Sequence, residues 1–137
     1  MAASTSYKKI NILENSNLRD KIKIFKKSGK KFDRIVLHEN EEDLIQIMVM
    51  MYRKSFNFPF HYSINKSESF SVIYGKFKIL FKEKGKIRKI ILDKKNKIIF
   101  KLNANVFHKI IPLSDVSVAL EILDGPFKRN SVRKINE

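Results

Sequence analysis

The chain has 137 residues, the length of one domain, and its 43% hydrophobic content is enough for a core, which excludes global disorder. It has no cysteine, so disulfides and thiolate metal sites are excluded and any metal must be held by His, Asp or Glu. The net charge of +15 would draw polyanions, but the lysines are scattered singly among Ile and Asn, without an aromatic RNA-binding motif, a glycine-rich clamp or a recognition helix, which argues against a nucleic-acid partner.

Residues 1–16 read as a leader with a short edge strand at Lys9–Leu13, and no apolar stretch of a signal peptide is present. Asn17 is suited to cap a helix in which Leu18, Ile22 and Phe25 share a face, with Gly29 as its stop. Arg34–His38 reads as a strand. Asn40, followed by Glu41, Glu42 and Asp43, predicts a second helix, with Leu44, Ile47, Met48 and Met51 as its apolar stripe and Arg53 and Lys54 in its last turn. The apolar run Leu44–Met51 is too short to span a bilayer, and a cytoplasmic location is the expectation.

From Phe56 onward the period changes to two. Phe70, Val72 and Tyr74 alternate with serines, and Phe77, Ile79 and Phe81 alternate with lysines, which places those lysines outward. Gly85 marks a hairpin turn, and Asp93-Lys94-Lys95-Asn96 a second turn between strands at Ile87–Leu92 and Lys97–Leu102. Val106–Ile111 and Val116–Leu123 complete a set of short strands that predicts an antiparallel barrel. Residues 128–137 read as a loose basic tail.

Strand parity puts His61 and Ser63 on one face and turns Glu68 inward with Phe70, Val72 and Tyr74. His108 alternates with Val106 and Ile110, so it too is expected to point inward. A carboxylate at an apolar interior requires a cation or a proton. Two imidazoles and one carboxylate would meet that need as a divalent metal site with open positions.

The run His61-Tyr62-Ser63, four residues, Glu68, six residues, Gly75 resembles the first cupin motif, His-x-His, a short spacer, Glu, six residues, Gly. Asn103-Ala104-Asn105-Val106-Phe107-His108 is similar to the second, Pro-x-Gly-x-x-His, with Asn in place of Pro and Gly. Within cupins the chain resembles the WbuC family of cupin-fold metalloproteins over about residues 30–130. Arg34–His38, Lys66–Phe70 leading to Gly75, Phe107-His108, and Glu121 with Gly125-Pro126-Phe127 carry that likeness.

The resemblance implies a mainly β fold, a cupin-type double-stranded β-helix (jelly-roll barrel) with one or two N-terminal helices. The single cupin domain would cover residues 17–127, with a helical part at 17–54 and the barrel at 56–127. It implies a divalent metal (Zn, Fe, Mn or Ni) on His61, Glu68 and His108, with Ser63 at the position of a lost histidine ligand. Phe70, Val72 and Glu121 would line the pocket. Arg34, His38 and Tyr74 are the catalytic candidates, from parity and resemblance together. The implied role is binding or modifying a sugar nucleotide or related small molecule in surface-polysaccharide (O-antigen) biosynthesis, as a metal-dependent, isomerase- or epimerase-like enzyme. A metal-free cupin that binds a sugar or anion is the alternative, and a homodimer is the expected assembly.

Overall fold

The computed structural model describes residues 2–3 and 11–134. The expected edge strand at Lys9–Leu13 falls partly outside that range, and residues 11–13 are not strand. The described elements are β1 (Ala2–Ala3), α1 (Asn15–Lys27), β2 (Phe32–Val36), β3 (Ile45–Arg53), β4 (His61–Ser63), β5 (Glu68–Tyr74), β6 (Phe77–Glu83), β7 (Lys86–Leu92), β8 (Ile99–Leu102), β9 (His108–Pro112), β10 (Val116–Asp124) and β11 (Val132–Lys134). They form two sheets, ordered β1-β2-β3-β10-β5-β8 and β11-β4-β9-β6-β7. Every pairing except β1 with β2 is antiparallel. The chain is mainly β, with two sheets facing each other as a jelly roll, as the sequence predicts.

The helix at Asn15–Lys27 matches the sequence expectation, although Glu14 rather than Asn17 stands at its N-cap. Leu18, Ile22 and Phe25 pack on Val49, Met51, Val116 and Val118, so α1 covers the outer face of the six-stranded sheet. Arg53 closes the other end of the helix. Its guanidinium donates to the carbonyls of Phe25 (2.9 Å) and Lys26 (2.6 Å) in the last turn and of Lys30 (2.8 Å) just beyond it.

The second helix does not exist. Ile45–Arg53 is a central strand, paired with β2 on one side and with β10 along its whole length on the other. Met48, Met50 and Tyr52 face the barrel core while Val49 and Met51 face α1. A strand buried on both faces is apolar throughout, and that erases the period that separates strand from helix. The cap-like residues form a turn instead. The Asp43 carboxylate accepts from the Glu39 and Asn40 amides, and Asn40 Oδ1 accepts from the Glu42 amide. Among the described residues α1 is therefore the only α-helix, beside a single 3-10 turn at Arg129–Ser131, and residues 32–36 and 45–53 belong to the barrel.

The β6–β7 hairpin turns at Lys84 (φ 50°) and Gly85 (φ 74°), the double left-handed geometry of a tight turn, as the glycine predicts. The Asp93 carboxylate accepts from the Lys95 and Asn96 amides and shapes the crossover from β7 in one sheet to β8 in the other. The basic tail is not loose throughout. Val132–Lys134 pairs with β4, because the extended chain finds an open sheet edge there.

The space between the sheets is filled unequally. Phe70, Val72, Phe77, Ile79, Leu92 and Ala119 pack one end solid, with ring contacts from Phe77 to Tyr52 (5.8 Å) and Phe70 (5.0 Å). The other end, between β2–β3 and β4–β11, stays open as a cavity. Among the described residues no helix is long and apolar enough to cross a membrane.

Candidate functional site

The cavity holds about 500 Å³. Its walls are largely apolar: Phe32, Val36, Met48 and Met50 on one sheet, Ile110 and Val132 on the other, and Phe56 and Phe58 from the loop between β3 and β4. One set of polar groups, His38 to Glu41, stands at its rim, and another, His61, Glu68 and Glu121, at its floor, where the open half meets the packed half.

His61 and His108 are directly opposite in the β4–β9 pairing, and their rings stand 4.3 Å apart. Glu68, at the start of β5, reaches across from the other sheet, so that its Oε1 lies 2.6 Å from His108 Nε2. Glu121, inward on β10, stands beside Glu68, close enough for the two carboxyls to act on each other. Thus the three residues picked out by spacing converge, and Glu121 joins them. His108 is almost wholly buried at 2% exposure, and Glu68 is nearly so, which makes their pairing a requirement of burial.

The electrostatics follow from that crowding. Burial raises the Glu121 carboxyl, the Glu68 charge raises it further, and it titrates at about 8. Burial would raise Glu68 as well, but the hydrogen bond and charge of His108 hold it below the usual carboxylate range. Burial would lower His108, yet Glu68 outweighs it and raises the imidazole. His61 is lowered, by burial first and then by the charge on His108. At neutral pH the floor therefore holds a carboxylate on Glu68 and a proton on Glu121, with the His108 imidazole made more basic than usual by Glu68.

This sets the pH dependence of stability. Glu121 and His108 have folded values above their unfolded ones, so their contributions are complete below the unfolded values and fade as pH rises through the folded ones. Glu68 is depressed, so its contribution is present above the ordinary carboxylate value and lost in acid. Urea-unfolding free energy should fall by roughly 2–4 kcal/mol between about pH 5 and pH 8.5. Glu121→Gln should flatten most of that slope, and an equally steep slope in the variant would refute the assignment.

A divalent metal is tested by the same geometry. In favour, His61 Nδ1 and His108 Nδ1 each lie 2.9 Å from a backbone carbonyl (Pro59 and Val106), which orients Nε2 inward as in ligating histidines. Beyond their contact with each other, His108 Nε2 and Glu68 Oε1 have no hydrogen-bond partner. Against it, a metal at about 2.1 Å from both atoms would hold them at least about 3 Å apart, and they stand 2.6 Å apart. Among the described residues no group of three or more His, Asp or Glu side chains is arranged to hold a metal ion. In this arrangement Glu68 and His108 stand too close to share a metal, and binding one would require them to part.

The remaining sequence candidates divide. Arg34 lines the cavity and its charge acts on Glu121 and Tyr52. His38 lies at the rim, with Nδ1 3.2 Å from the Ile47 carbonyl oxygen. Ser63 lies in the cavity wall. Phe70 and Val72 point inward as expected but into the packed half, so they support the floor and do not line the pocket. Tyr74 does not point inward. A register shift against β10 beside Val118 breaks the alternation, and Tyr74 is left 49% exposed with the Lys26 ammonium over its ring. Sequence reasoning missed Phe56, Phe58 and Tyr52. The every-other-residue aromatics Phe56, Phe58 and Phe60 just before His61 carried a signal that could have found the first two.

No family model and no curated protein matches the chain. Solved structures do. The capsular polysaccharide assembling protein CapF from Staphylococcus aureus superposes with a TM-score of 0.67 at 18% identity, over 79% of this chain and 33% of CapF. CapF with the inhibitor 3-isopropenyl-tropolone matches equally. Oxalate decarboxylase from Bacillus subtilis gives 0.60 at 17% identity, over 76% of this chain and 27% of that one. The barrel has the cupin fold. At these identities the likeness establishes the cupin architecture and nothing finer, and the chain spans about a third of CapF's length.

Proposed function

We propose that the cupin cavity binds the sugar part of a sugar nucleotide or a related glycosyl compound, and does so without a metal. The observation that carries this is the composition of the cavity: apolar aromatic walls around a floor that both donates and accepts protons. A sugar ring offers an apolar C–H face to Phe32, Phe56 and Phe58, and hydroxyls to Glu68, Glu121 and His61. The carboxylates of Glu39 and Glu41 stand exposed at the rim and that of Glu68 lies at the floor, facing Arg34, although the chain is +15 overall. A neutral polyol therefore suits the interior better than an anion, and a diphosphate would lie at the basic exterior.

The likeness to a capsular polysaccharide assembling protein and the WbuC-like motifs support a place in surface-polysaccharide biosynthesis. An isomerase- or epimerase-like reaction is favoured by one further feature: protonated Glu121 beside ionised Glu68, an acid and a base within reach of one substrate. Homodimerisation through an open edge, such as β7 or β8, belongs to the same reading.

A thermal-shift panel tests it. Sugar nucleotides should raise Tm, the matching nucleotides without sugar should not, and Glu121→Gln should weaken the sugar-dependent shift at least tenfold in ligand concentration. Equal shifts with and without the sugar would place the ligand outside the cavity and defeat the proposal.

A further inference from the structure

The two sheets are finished differently on their outer faces. The six-stranded sheet is covered by α1. The outer face of the five-stranded sheet is built from the positions that alternate with the inward Phe77, Ile79, Ile90 and Leu92. Register arranges it in rows. Ile111, Lys78 and Ile91 lie side by side, then Lys109, Leu80 and Lys89. Lys82 and Ile87 form the next row, with the Lys82 amide donating to the Phe107 carbonyl. Tyr62 packs on Phe107 at 4.5 Å, and Arg133 pairs opposite Tyr62 at the far edge.

Cations and apolar side chains thus alternate in both directions. The cations are Lys78, Lys82, Lys89, Lys109 and Arg133, and no outward position of the described strands in this sheet is acidic. The nearest carboxylate on these strands, Glu83, has inward parity and is paired with Arg88 at 2.8 Å. Ile87 is 58% exposed and Ile91 37%.

We propose that this open face is a docking surface for an anionic lipid bilayer. A bilayer interface satisfies both halves of the pattern. Acidic headgroups meet the ammonium groups, the lysine stems lie along the surface, and the isoleucines enter the boundary of the acyl region. A nucleic acid would use the cations but gain nothing from Ile87, Ile91 and Leu80, which neither stack on bases nor read their edges. A second copy of the face would set its cations against their equals. The surface lies on the outside of the barrel, away from the Glu68–His108 floor, so it stands or falls separately from the ligand reading.

Vesicle sedimentation of the full chain tests this. The protein should sediment with phosphatidylcholine vesicles in which a third of the lipid is phosphatidylglycerol, and high salt should release it. Pure phosphatidylcholine should not bring it down. Lys82→Gln with Lys89→Gln should weaken binding roughly 25-fold, at about fivefold per lysine. Ile87→Ser with Ile91→Ser should weaken vesicle binding roughly tenfold or more while leaving any binding to a short DNA duplex unchanged. Both variants alter exposed side chains and should keep the parent melting temperature. Equal sedimentation with neutral vesicles overturns the proposal. So does an isoleucine variant that binds vesicles like the parent, and a protein that binds the duplex but not the vesicles would mark the face as a nucleic-acid surface.

Discussion

Replacing His108 by Ala should destabilise the protein by roughly 3–5 kcal/mol, one of the largest single losses available to it. The imidazole is 2% exposed and its Nε2 faces Glu68 Oε1 at 2.6 Å. Without it, Glu68 would keep a negative charge beside Glu121, inside the barrel, stripped of the partner at its contact. The void left by the ring adds to the loss. Much of the penalty belongs to the stranded carboxylate rather than to the missing contact, so it should be recoverable. His108→Ala combined with Glu68→Gln should cost at least about 1 kcal/mol less than the two single changes added together. Urea unfolding of the four proteins at one pH measures this. Strict additivity would show that the pair is not coupled and that the floor of the cavity is organised in some other way.

Gly125→Ala should be comparably damaging, at about 3 kcal/mol or more, for a purely steric reason. A Cβ there would collide with the backbone carbonyl of Asp43. That carbonyl cannot easily retreat. The Gly125 amide donates to the Leu44 carbonyl at 2.8 Å, the Phe127 amide to the Glu41 carbonyl at 2.8 Å, and the Asp43 side chain fixes the same turn. Because Glu41 and Phe127 both line the cavity, the substitution should also loosen its rim and weaken ligand binding. Gly85→Ala is the comparison. Its hairpin tip has no atom within 4 Å of the new methyl, so only the strain of a left-handed residue applies, about 1 kcal/mol. If urea midpoints fall equally in the two variants, close packing at Gly125 is not what fixes the rim.

The barrel was legible where side chains alternate cleanly between core and solvent. Phe77, Ile79 and Phe81 against lysines gave β6 correctly, and Gly85 gave its turn. Ile45–Arg53 was misread because α1 covers one face and the core the other, so the run Ile47–Tyr52 carries no alternation of apolar and charged residues. The Asn, Glu and Asp before it looked like a helix start, yet the same hydrogen-bonding capacity serves a turn. At the site, His61, Glu68 and His108 were found by spacing because the two motifs lie on strands whose ends meet at the barrel floor. Tyr74 was misplaced because a register shift cannot be seen in a period-two pattern. What the three residues do together was also not readable from spacing. The contact between Glu68 and His108, and the carboxyl of Glu121 beside them, are properties of the closed barrel.

The central claim is that this floor recognises a sugar with protons and carboxylates rather than through a metal. Calorimetric titration of chelator-treated protein with a sugar nucleotide tests it most directly, with metal content measured on the same sample. Unchanged affinity in the metal-free protein, lost in Glu121→Gln, is the predicted result. Binding that disappears on chelation and returns with one equivalent of Zn, Fe, Mn or Ni would contradict it.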